Sequence, residues 1–113
     1  MKILELFAGS RSFSKTAEKF GHETYATDCE HFNKINQVCD IFKFDINQMM
    51  DEFGKPDVIW VSPPCTTFSV ASISTHWTGG SRAYIPKTRK AEIGMSIVEE
   101  AIFIIKQLNP KYF

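Results

Sequence analysis

Apolar residues along this chain fall into two recurring patterns, short continuous runs and wider-spaced stripes, and the alternation predicts strands separated by helices. Lys2 to Phe7, apolar apart from Glu5, reads as a first strand, with Ala8-Gly9-Ser10 as the turn after it. Phe13, Ala17 and Phe20 then share one helical face, with Ser10 or Ser12 as N-cap and Gly21 as the stop. Glu23 to Thr27 reads as a second strand ending at Asp28-Cys29-Glu30. A short helix is expected over residues 32–38, with Phe32, Ile35 and Val38 inward, and a third strand over Ile41 to Phe44, ending at Asp45. Asn47 to Phe53 follows as a helix closed by Gly54, and Asp57 to Val61 as the fourth strand.

Residues 66–88 lack strong periodicity and contain Gly79-Gly80 and Pro86, so a long loop acting as a lid is expected there. Thr88 caps the last predicted helix, which runs to Leu108. Its stripe is Ile93, Ile97, Val98, Ala101, Ile102, Ile105 and Leu108, the pattern of a helix lying on a sheet. Asn109-Pro110 ends it, and Tyr112-Phe113 begins a fifth strand. Strands alternating with helices imply an α/β fold, a parallel sheet with helices on both faces.

At 113 residues and 43% hydrophobic content the chain has enough apolar surface for one core. No apolar run approaches the roughly 18–20 residues that cross a bilayer, so the expectation is a soluble, cytoplasmic protein with no membrane partner. Three cysteines, Cys29, Cys39 and Cys65, show no CxxC spacing, which argues against a zinc site or a disulfide framework; no metal is expected. The net charge is zero, but its distribution is uneven. Residues 1–57 carry seven Lys/Arg and ten Asp/Glu, whereas residues 58–91 carry Arg82, Lys87, Arg89 and Lys90 and no acid. Such a positive stretch suits a phosphate backbone, or is simply a solvated loop.

The candidate chemistry sits at the end of the fourth strand, in Val61-Ser62-Pro63-Pro64-Cys65. Two prolines stop the ladder and hold the chain extended. A thiol directly after them lies where open α/β sheets bind ligands, although a buried structural cysteine is the plainer reading of an isolated residue. Gly9 after strand one and an acid, Asp28, ending strand two form a general recipe for holding a nucleoside. A pyrophosphate cofactor calls for G-x-G-x-x-G, and only Gly9 is present, which counts against a dinucleotide.

Pro64-Cys65-Thr66-Thr67-Phe68-Ser69 resembles the Pro-Cys-Gln-x-Phe-Ser signature of the DNA (cytosine-5) methyltransferases, and Leu4-Glu5-Leu6-Phe7-Ala8-Gly9 resembles their opening Asp-Leu-Phe-Ala-Gly. The resemblance runs from about Ile3 to Phe113. It implies a Rossmann-like S-adenosylmethionine-dependent methyltransferase fold, truncated before strand five. Residues 1–113 would then be the N-terminal part of a cofactor-binding and catalytic domain. It implies that Phe7 lies against the adenine, with Gly9 in the loop, Asp28 on the ribose and Cys29 where the family commonly has a tryptophan. Asp45 would meet the adenine amino group with Ile46 beside it, and Ala8, Ser10, Arg11 and Pro63 complete the cofactor set. Arg11 stands where the family has a second glycine, so either the loop takes another path or Arg11 reaches a carboxylate.

By the same resemblance Cys65 is the catalytic nucleophile, adding to cytosine carbon 6. The partner is double-stranded DNA with a flipped cytosine. Arg82, Lys87 and Arg89 are the candidate phosphate contacts. The family's Glu-Asn motif, which supplies an acid for the ring nitrogen, follows on strand five and is not among these residues. The expectation is therefore a portion that is inactive alone, with a second chain supplying the missing C-terminal half. The alternative is a non-catalytic S-adenosylmethionine- or DNA-binding remnant.

Overall fold

The computed structural model describes residues 1–64, 73–79 and 84–113. Its centre is a parallel sheet of four strands, β1 (Lys2–Leu6), β2 (Glu23–Asp28), β3 (Gln37–Val38) and β4 (Val58–Val61), in the order β3-β2-β1-β4. β1 pairs with β2 from Lys2↔Glu23 to Leu6↔Thr27 and with β4 from Ile3↔Val58 to Leu6↔Val61. The carboxyl ends of three strands therefore meet along one edge, the place where such sheets carry ligands.

Period-two alternation sends β1 to two different layers. Leu4 and Leu6 join Tyr25, Met49, Ile59, Ile104 and Leu108 in the core. Helices α2 (Ile46–Glu52) and α4 (Arg89–Leu108) close that face. Glu5 points the other way, under α1 (Ser12–Lys19), where its carboxylate accepts from the backbone N–H and hydroxyl of Ser14. That pairing satisfies a charge that is only 4% exposed. The sheet is thus covered on both faces, as the strand–helix alternation predicts. Trp60 lies on the α1 side and stacks on Phe13 with ring centroids 4.1 Å apart, yet it remains 45% exposed.

The segment between β2 and α2 differs from expectation. Residues 32–38 form no helix; Lys34 turns the chain at φ 63, and Gln37–Val38 is the third strand. The cause is side-chain competition for the edge of β2. Asn36 accepts from the Ala26 N–H and Gln37 donates to the Tyr25 hydroxyl and the Asp45 carbonyl, so the amides do the anchoring that a helical face would otherwise do. Ile41–Lys43, expected as a strand, is a single 3-10 turn capped by Asp40, whose carboxylate accepts from the Phe42 N–H.

Residues 73–79 and 84–88 are not a structureless loop. Helix α3 (Ile73–His76) leads into an antiparallel pair, β5 (Trp77–Gly79) with β6 (Tyr84–Pro86). Gly79 has φ 89; its expected hinge partner Gly80 lies outside the described residues. His76 Nδ1 lies 2.7 Å from the Thr88 hydroxyl, which also caps α4 by accepting from the Ala91 N–H. The predicted α4 stripe is partly displaced: Ile93 and Ile102 are exposed, and Ile104 lies in the core instead. Tyr112 bridges Val58 in parallel, its N–H donating to the Asp57 carbonyl at 3.0 Å, so the chain does start a fifth strand beside β4. Among the described residues no helix is long and apolar enough to cross a membrane.

Candidate cofactor cleft and the residues around it

Among the described residues, the loop after β1 holds two of the four non-glycine residues with positive φ. Phe7, Gly9 and Arg11 have φ of 59, 53 and 62, all in the left-handed region. For Gly9 this is a conformational requirement and not one of space, since an added Cβ would meet nothing within 4 Å. For Phe7 and Arg11 it costs roughly 1–2 kcal/mol each. Strain of this kind persists where surrounding contacts over-determine it. Here the Ala8 N–H donates to the Thr27 carbonyl at 3.0 Å and the Gly9 N–H to Asp28 Oδ2 at 2.9 Å, tying the loop to the end of β2.

The result is a cleft at the carboxyl ends of β1, β2 and β3. Phe7, Asp28 and Cys29 line it together with Thr27, Cys39, Asp40, Ile41, Pro64 of the turn after β4, and Ile97 of α4. It encloses about 90 Å³. That is small beside the roughly 300–1,000 Å³ of pockets that bury a whole drug-sized ligand. The cleft walls are mostly apolar, Phe7, Ile41, Pro64 and Ile97, with two carboxylates at the rim. Asp28 already accepts from the Gly9 and Glu30 N–H groups, one on each oxygen, but each carboxylate oxygen has capacity for a second donor such as a hydroxyl. Burial, aided by the Asp28 carboxylate, pushes the Cys29 thiol up from its ordinary value.

The remaining expected residues fall elsewhere. Asp45 is exposed and caps α2, accepting from the Gln48 N–H, while Ile46 packs on the core; neither lines the cleft. Asp40 and Ile41 stand in the cleft where that pair was expected, because the third strand ends at Val38, six residues before the Phe44 that its apolar run suggests. The sequence carries the same Asp-Ile pair twice, and that duplication is the signal that points to Asp40. Arg11 turns away from the cleft. Its guanidinium, 4% exposed as a residue, pairs with the Glu18 carboxylate and donates to the Thr24 hydroxyl at 3.1 Å. The Thr24 hydroxyl and then Arg11 hold the Glu18 carboxyl below its ordinary value. Ser10 is exposed, its hydroxyl 3.2 Å from that of Ser12.

Ala8 lines a second, open groove of about 430 Å³ on the α1 face, with Glu5, Phe13 and Trp60. Pro64 and not Pro63 reaches the cleft. Cys65 and Arg82 lie outside the described residues. Lys87 and Arg89 are exposed on either side of Thr88, at the junction of the β5–β6 pair and α4. Among the described residues there is no group of three or more His, Cys, Asp or Glu suited to a metal.

A strained loop, an acid ending the second strand and a proline turn thus converge on one small cleft at the edge of a parallel α/β sheet. The whole chain, residues 1–113, matches the C-5 cytosine-specific DNA methylase family, to which it belongs. It is 31% identical over 116 residues to a probable DNA (cytosine-5)-methyltransferase of Frog virus 3 (isolate Goorha), an alignment that takes in all of this chain and 51% of the viral protein. The chain thus spans about half the length of that relative.

Proposed function

We propose that this chain forms the cofactor-binding part of a DNA cytosine-5 methyltransferase that uses S-adenosylmethionine. The observation that carries the reading is the convergence of Phe7, Asp28 and Pro64 on one cleft at the sheet's carboxyl edge. The residues suit the adenosyl group: Phe7 offers a flat apolar wall, and Asp28 and Asp40 offer acceptors for hydroxyl and amino donors. The fold that accompanies this function is Rossmann-like.

When bound, S-adenosylmethionine supplies a methyl group activated on a sulfonium. Cys65, next in sequence to Pro64, is the nucleophile. Its thiolate adds to carbon 6 of a cytosine turned out of the duplex, making carbon 5 nucleophilic; after methylation, loss of the carbon 5 proton expels the thiolate. A soft nucleophile is needed for that addition, which favours cysteine over serine. Arg82, Lys87 and Arg89 contact DNA phosphates, and the protein works in the cytoplasm on double-stranded DNA.

Calorimetry on the 113-residue chain with S-adenosylmethionine and S-adenosylhomocysteine tests the cleft. Both are expected to bind, and Asp28→Ala to weaken them at least about tenfold. Methyl transfer to DNA is expected only when a second chain carrying the C-terminal half is added, and Cys65→Ser abolishes it. Binding without transfer in the complemented mixture identifies a non-catalytic remnant. Absence of binding rejects the cofactor reading.

A further inference from the structure

Two thiols that the proposed reaction does not use share the rim of this cleft. β2 and β3 are parallel, with Thr27 opposite Gln37 and Asp28 opposite Val38. The Cys39 N–H donates to the Asp28 carbonyl at 2.9 Å, the bond that belongs to that last pair. Cys29 and Cys39 each directly follow it, one on each chain, with Cys29 in the bend that ends β2. Cys39 Sγ lies 3.7 Å from the Thr27 hydroxyl and 3.9 Å from Gln37 Oε1, and both cysteines line the cleft. Neighbouring strands run roughly 4.8 Å apart. A disulfide needs Cα atoms about 4.4–6.8 Å apart. Both thiols are free and Cys29 is exposed.

We propose that Cys29 and Cys39 are a dithiol that closes to a disulfide across the cleft rim and so blocks cofactor entry. The oxidant is a small-molecule disulfide of the glutathione type. Cys29, the exposed thiol, loses its proton to solvent and attacks one sulfur of that disulfide, forming a mixed disulfide and releasing one thiol. The Cys39 thiolate then attacks the Cys29 sulfur, forming the intramolecular bond and releasing the second thiol. Two protein thiols are oxidised and one disulfide is reduced. The bond joins two lining residues of a cavity of only about 90 Å³, so a small shift of either is large against the space available. The blocking effect rests on the cofactor reading above; the pairing does not.

The experiment treats the 113-residue chain with oxidised glutathione, alkylates the remaining thiols and maps the peptides by mass spectrometry. A Cys29–Cys39 cross-link is expected, with Cys65 alkylated. S-adenosylmethionine affinity should fall at least about tenfold and return with dithiothreitol. Cys39→Ser and Cys29→Ser should each lose the cross-link, and Cys39→Ser should stop at a glutathione adduct on Cys29. Adducts without a cross-link, a bridge to Cys65, or a Cys29–Cys39 bridge that leaves affinity unchanged would each overturn the proposal. If the reduced chain does not bind S-adenosylmethionine, the cofactor reading fails, and the peptide map still decides the pairing.

Discussion

Single residues in this protein carry two tasks at once, and Asp28 is the clearest case. It organises the β1–α1 loop by accepting the Gly9 N–H and faces the cleft with capacity to spare. The Asp-Ile pairs separate more cleanly. Asp40→Ala should weaken S-adenosylmethionine binding by about tenfold, whereas Asp45→Ala should leave binding alone and cost about 1 kcal/mol of stability through loss of the α2 cap. Calorimetry and urea unfolding on the two variants read these outcomes, and a larger binding loss at Asp45 would reverse the assignment. Arg11 belongs to structure. Arg11→Gly removes hydrogen bonds to a charged partner worth about 1.5–3 kcal/mol and relieves roughly 1 kcal/mol or more of left-handed strain. A net loss of about 1 kcal/mol in urea unfolding is the expected result.

Among the elements, α4 does most to position the site. It buries Ala101, Ile104 and Leu108 against the sheet and lends Ile97 to the cleft. Ile104 is 1% exposed, so Ile104→Ala opens a cavity in the core and should cost about 2–5 kcal/mol. The exposed Ile102→Ala should cost under about 0.5 kcal/mol. Thermal or urea unfolding distinguishes the two, and equal losses would mean that the α4 face is misassigned. The β2–β3 pair shows the opposite kind of element. Two residues of strand are held mainly by the Asn36 and Gln37 amides, a local arrangement that also sets Cys39 beside Cys29 in the lining of the cleft.

For the molecule as a whole, the sheet's burial of Tyr25 sets a limit at alkaline pH. Its hydroxyl donates to Glu52 at 2.9 Å and accepts from Gln37 at 3.1 Å. Burial pushes the phenol up to about 12 from an ordinary 10.0, with the Glu52 carboxylate acting the same way and Gln37 against it. The folded state therefore holds this proton more tightly than the unfolded chain. Its contribution to stability is complete below about pH 10 and is lost as pH rises toward about 12, where the unfolded chain has already released the proton. Urea midpoints measured across that range should fall, and Tyr25→Phe should remove the Tyr25 share of the decline. A midpoint that rises over the same interval would contradict this account.

Local pattern was enough for β1, α1, β2, α2, β4, α4 and the start of a fifth strand, because each has an apolar period and a stop signal within its own span. Gly9 and Asp28 as neighbours followed from the same pattern, since strand ends in a parallel sheet lie on one edge, while Phe7 and Cys29 were added to them by the family resemblance. What pattern could not reach were the choices made by partners distant in sequence. Gln37 became a strand residue because Tyr25 and Asp45 accept its amide, which displaced the third strand and put Asp40 in the place expected for Asp45. Arg11 left the cleft because Glu18 and Thr24 were within reach. Short-range periodicity reports which face a residue prefers; which partner waits on that face is settled only when the chain has folded.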